Sequence, residues 1–157
     1  MASSSSRDVS DVDTARVVAA EANHTVDKCM WRVITCNQAS RDAVHNADYF
    51  NEVRSRLEHF IEQDTEELEA LIVWQQKTIA TNNPQNVSIA NKTVSEKRAS
   101  LEDLHTQLEE AKVEHDRASL KCSILESELE TAEKSLLEAK EALEKAYIRL
   151  GRLLGPE

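Results

Sequence analysis

The sequence predicts an all-α protein: a long antiparallel helical hairpin, a coiled coil with one turn near Asn82–Asn86. Partner helices are expected to complete it to a three- or four-helix bundle. Three observations predict this. The chain of 157 residues holds only two glycines and two prolines, and turns need such residues for steric reasons. Charged residues reach 31% and aromatics only 4%, a profile of long helices. Apolar or small residues then recur at alternating steps of three and four through both halves, the signature of heptads.

Residues 1–8, from "MASSSSRD", read as a disordered lead-in. The first long helix is expected over residues 9–81. Its seam runs Val12, Ala15, Ala19, Ala22, Val26, Cys29, Val33, Cys36, Ser40, Ala43, Ala47 and Phe50, then Arg54, Leu57, Ile61, Asp64, Leu68, Leu71, Gln75 and Thr78. The flanking g positions add Val18, Ala39, Val53, Phe60 and Trp74, and the e positions add Met30, Val44, Ile72 and Ile79. A two-stranded seam needs only a and d, so apolar e and g positions call for further helices. Trp31 falls on the outer face, where a large aromatic calls for a covering partner.

Residues 82–86 form the expected turn. Asn82 and Asn83 tolerate the left-handed geometry that ends a helix, Asn83 can cap the next one, and Pro84 suits its first turn. The second helix is expected over residues 87–154. Its seam is Val87, Ala90, Val94, Lys97, Leu101, Leu104, Leu108, Ala111, His115, Ala118, Cys122, Leu125, Leu129, Ala132, Leu136, Ala139, Leu143, Ala146, Leu150 and Leu153. Lys97 and His115 alone break its chemistry, and both read as register-fixing polar residues. Residues 155–157, with Gly155 and Pro156, form a tail. With the turn centred at Pro84, Cys29 faces Ala139 and Leu57 faces Ala111. A straight rod that pairs in parallel with a second copy satisfies the same heptads, and periodicity alone leaves that choice open.

Function classes are narrowed by what the chain carries. The net charge is −10 and both halves are acidic, so no basic stripe is offered to nucleic acid or to anionic membranes. No apolar run approaches a membrane span, and the N-terminus has no hydrophobic signal core. Cys29, Cys36 and Cys122 lack metal-ligand spacing and read as free thiols in an intracellular, reducing compartment such as cytoplasm, cytoskeleton or nuclear envelope. The sequons at Asn23, Asn86 and Asn91 are then chance matches.

Candidate chemistry is sparse. Glu21-x-x-His24 and Glu102-x-x-His105, with Asp42-x-x-His45 as a weaker variant, have the spacing of di-metal helix bundles. Glu21, His24 and Glu102 fall on outer positions, however, and the hairpin separates the two motifs widely. There is no Gly-rich phosphate loop and no nucleophile-bearing turn. No enzyme activity, metal or cofactor is expected. The sequence points to a structural subunit that scaffolds a larger complex by helix–helix packing, with other coiled-coil proteins or further copies as partners. A cytoskeletal or axonemal filament component is the alternative. A membrane-tether coiled coil is a third reading, weakened by the lack of an anchor. Met30, Trp31, Val53, Phe60, Ile72 and Trp74 are the candidate partner-binding residues, because desolvated aromatic anchors concentrate binding energy.

The stretch "ADYFNEVRSRLEHFIEQDTEELEALI", followed by "ATNNPQN", resembles the middle coiled-coil subunit of the central-channel nucleoporin heterotrimer. The matching positions are Ala47, Asp48, Tyr49, Phe50, Leu68, Glu69 and the Asn82–Asn83 turn. That family also carries Phe-Gly repeats, which this chain lacks, so the resemblance implies at most a repeat-less nuclear-pore channel scaffold segment. The turn "NNPQNVSIA" is also similar to an element of the tektins, rod proteins of ciliary microtubules, which implies a filament role.

Overall fold

The structure, a computed structural model, describes residues 2–155, with side chains from residue 9 onward. Two helices, α1 (Ala2–Ala80) and α2 (Pro84–Leu154), pack against each other as a hairpin. Among the described residues there is no strand. Contacts group into two units: a turn-proximal unit, Val44–Lys121, and a terminal unit that pairs Met1–Ala43 with Cys122–Glu157.

In the turn-proximal unit, the junction is built by side-chain chemistry at Thr78, Thr81, Asn82 and Asn83. Thr81 and Asn82 donate their backbone N–H groups three residues back, to Thr78 and Ile79, both at 3.1 Å, which tightens the end of α1. Asn82 then takes φ 59°, the left-handed conformation that terminates helices and that Asn tolerates among non-glycine residues. Asn83 Oδ1 accepts from the N–H groups of Gln85 at 3.1 Å and Asn86 at 3.4 Å. This N-cap contributes about 1 kcal/mol. Pro84 is the first residue of α2, where its missing N–H has no helical acceptor to lose.

Pro84 therefore opens the helix instead of sitting inside a turn over 82–86, and α2 starts earlier than the expected Val87. The turn is consequently centred on Asn82, not Pro84, and the facing register moves. Gln75 Nε2 donates to Asn91 Oδ1 at 2.8 Å, where a centre at Pro84 would have put Thr93 opposite. Lys97 Nζ reaches Glu67 Oε2 at 2.5 Å, where the earlier register would have placed Leu101. The two contacts lie two and four residues from the expected partners, and the seam positions stay buried or half-buried.

Burial follows the heptads closely. Every seam position of α1 from Val12 to Thr78, and of α2 from Val87 to Leu150, is buried or half-buried, while Leu153 is exposed. The turn-proximal core is Val94, Leu101 and Leu108 with Ala90, Ala111 and Ala118. The terminal core is built almost wholly from alanine: Ala15, Ala19, Ala43, Ala132, Ala139 and Ala146, with Val26. Alanine at the seam lets two backbones approach closely and leaves room for larger side chains from across it. Threonines on both helices donate their hydroxyls to the carbonyl four residues back, as at Thr35, Thr65 and Thr93. That satisfies a polar side chain without breaking the helix.

At its start, α1 is helical from Ala2, so the stretch expected to be a disordered lead-in is helix from Ala2 on, and Met1 lies outside the described residues. The stretch has no Gly or Pro, and extending a nucleated helix adds one hydrogen bond per residue fixed. At the other end, Gly155 takes φ 74° and its N–H bonds to Gly151 O at 3.2 Å, a left-handed C-terminal cap. Pro156 and Glu157 lie outside the described residues.

Candidate interaction surface

The two helices differ in what flanks their shared seam. On α2 the g positions of the turn-proximal unit are Asn86, Thr93, Ser100, Gln107, Glu114 and Lys121, and the e positions are Asn91, Arg98, His105, Lys112 and Ser119. These are polar, as a solvated two-helix pair requires. On α1 the same columns mix polar residues, among them Asn51, Glu58, Thr65 and Glu67, with apolar ones that the hairpin covers only in part. Phe60 is 51% exposed and Trp74 41% exposed. Val53 precedes Phe60 by one heptad in the g column and is half-buried. Ile72 is half-buried and Ile79 exposed on the e column, the opposite flank. Beside the turn, Trp74, Thr78, Thr81, Asn86 and Ile89 line an open groove of about 270 Å³.

In the terminal unit, Trp31 stands 69% exposed at an outer position, with Met30 exposed on the adjoining e column. Val18 and Ile34 are exposed on the same helix. A monomeric protein gains nothing by holding a tryptophan in water, whereas a covered one is a strong anchor. Of the six candidate anchors, Met30, Trp31, Phe60 and Trp74 are exposed, and Val53 and Ile72 are partly covered by the hairpin.

Of the polar seam residues, Lys97 and Asp64 pair across the hairpin. Lys97, with its side chain 19% exposed, lies 3.0 Å from Asp64 Oδ1 and also bonds Glu67. Asp64 is itself a seam residue, 22% exposed. The hydrogen bonds that Lys97 donates to Glu67 and then to Asp64 hold its ammonium above the ordinary lysine pKa. A raised pKa means that the stabilisation is complete below the ordinary value. It is lost only as pH climbs through the raised one, far above neutrality. His115 is half-buried, with Nδ1 4.0 Å from the exposed carboxylate of Asp116. Arg54 Nε is 3.8 Å from Glu58 Oε1 and, among the described residues, is the buried side-chain polar atom without a hydrogen-bond partner.

Among the described residues no group of three or more His, Cys, Asp or Glu side chains could hold a metal ion. Cys29, Cys36 and Cys122 are half-buried free thiols. No helix of the described residues is long and apolar enough to cross a membrane.

Outer apolar residues beyond Trp31 are the part of the surface that heptad reading passes over. Val17 and Val73 on α1, and Val113, Leu120 and Ile148 on α2, are exposed at f positions. Their signal in the sequence is an apolar side chain opposite the seam, which a search restricted to a, d, e and g does not register.

The fold is an antiparallel two-helix hairpin whose first helix leaves Met30, Trp31, Phe60 and Trp74 exposed. No family model matches the chain, and no curated protein or solved structure is similar to it.

Proposed function

We propose that this chain is a non-enzymatic coiled-coil subunit that scaffolds a larger protein complex by helix–helix packing. The observation that supports this reading is that α1 holds Phe60 and Trp74 in solvent where the turn-proximal flanks of α2 are polar, and holds Met30 and Trp31 in solvent in the terminal unit. A helix laid along the g flank of α1 would bury Phe60 and Trp74, a helix along the e flank would bury Met30 and Trp31, and either would extend the hairpin towards a three- or four-helix bundle. Its heptads would supply the apolar residues and its flanking charges the choice of partner. An acidic hairpin of this kind fits a heteromeric assembly. The filament reading uses the same surface for copies of the chain itself.

Trp31→Ala and Phe60→Ala test the proposal. Each is expected to leave the helical circular-dichroism signal unchanged. Each should weaken association by about 2 kcal/mol or more, roughly 30-fold in Kd, as loss of a buried aromatic anchor does. Association is read in the native complex recovered from cells and, for the purified chain, by sedimentation across a range of concentrations. Unchanged association in both variants overturns the reading. Growth of the purified chain into long oligomers assigns the surface to self-association and favours a filament component.

A further inference from the structure

Both arms carry unbroken heptads, so the same sequence has a competing solution: two extended chains wound in parallel. In a parallel, in-register pair each seam residue faces its own copy. Lys97 would meet a second Lys97, Asp64 a second Asp64, and Arg54 a second Arg54. The seam would then hold like charges side by side where water is scarce. In the hairpin, Lys97 and Asp64 occupy facing seam positions 3.0 Å apart, and Glu67 completes the trio from the flank of the same helix. Two residues that repel their own copies attract each other only when the chain folds back.

We infer that the Lys97–Asp64–Glu67 trio is a topology selector that bars the parallel extended dimer and commits the chain to the hairpin. A single polar seam residue is known to set alignment and strand number at a cost in stability, and fixing register is the best-attested use of a buried polar or ionic group. The amide pair of Gln75 and Asn91 at 2.8 Å supports the same register nearer the turn. Pro84 plays the complementary part. It disfavours any helix running straight through residues 80–84, because an interior proline removes a helical donor and clashes with the preceding turn. The trio acts even where that obstacle is removed, and so the two can be separated.

The test uses the full chain with its three cysteines replaced by alanine and Pro84→Ala in every sample. Spin labels are attached through Ser55→Cys and Glu109→Cys, two exposed positions that face each other within the turn-proximal unit. Dilution with unlabelled chain restricts the reading to distances within one molecule. Neighbouring helix axes lie roughly 10 Å apart, so the hairpin gives a label distance under ~30 Å. An extended chain gives ~80 Å at 1.5 Å per residue. With the trio intact, the short distance is expected to remain. Lys97→Leu should shift it to the long one, and chains labelled only through Glu109→Cys should then show a short same-site distance between copies. The charge-exchanged variant, Lys97→Glu with Asp64→Lys and Glu67→Lys, should restore the short distance. The inference is overturned if Lys97→Leu keeps the short distance or loses its helix. It is equally overturned if the trio-intact chain is already extended, or if the extended leucine variant lacks the same-site signal.

Discussion

Leu101→Ala is expected to lower the unfolding free energy by about 2–5 kcal/mol, seen as a fall in the urea midpoint of the helical signal. Leu101 is 7% exposed, one heptad beyond Val94 and one before Leu108. It belongs to the few large side chains that the seam of the turn-proximal unit fully covers. Truncating it removes apolar area and leaves a cavity that two long helices can collapse only by shifting register. The matched control is Leu120→Ala on the same helix, where the leucine is 63% exposed. There the midpoint should move by no more than about 0.5 kcal/mol, as for ordinary surface changes. Equal effects at the two positions would mean that the seam is not where the heptads put it.

The second large effect is the opposite substitution. Ala132 has no exposed surface and sits in a terminal unit whose core is mostly alanine. Ala132→Leu inserts a larger side chain at a fully covered seam position, and should cost about 1–3 kcal/mol through overpacking. Ala142→Leu, at an exposed position of the same helix, is expected to be close to neutral or slightly unfavourable on helix propensity. Thermal unfolding of the two variants side by side separates a packing effect from a propensity effect. An unchanged midpoint in Ala132→Leu would mean that the terminal unit is loosely packed.

Most of the fold is legible in the sequence because heptads are a direct statement of which side chains are covered. From Val12 to Thr78 and from Val87 to Leu150 the seam holds at every step. The turn was legible in kind but not in its centre. Asn82, Asn83 and Pro84 announce a helix end, a cap and a first turn, yet which of them is the midpoint depends on backbone geometry: φ 59° at Asn82 and an N-cap at Asn83. Placing the centre at Pro84 hid the ion trio, because Lys97 then faced Leu71 instead of Glu67 and Asp64. Lys97 was visible as a break in the pattern; its partners were not. The exposed apolar side chains at outer positions, such as Leu120 and Val113, were missed for a different reason. Periodicity identifies the face that the chain covers for itself and is silent about a second face that another chain would cover.

The proposed association surface rests on the exposed aromatic side chains of α1, and a photo-crosslinker tests it most directly. A benzophenone amino acid is placed in cells at Phe60 in one chain, at Trp31 in another, and at Ser127, an exposed outer position of α2, in a third. The account predicts discrete adducts from Phe60 and Trp31, mapping to heptad-bearing helical segments of a partner or of a second copy, and none from Ser127. The same adducts from all three positions, or adducts from Ser127 alone, would contradict it.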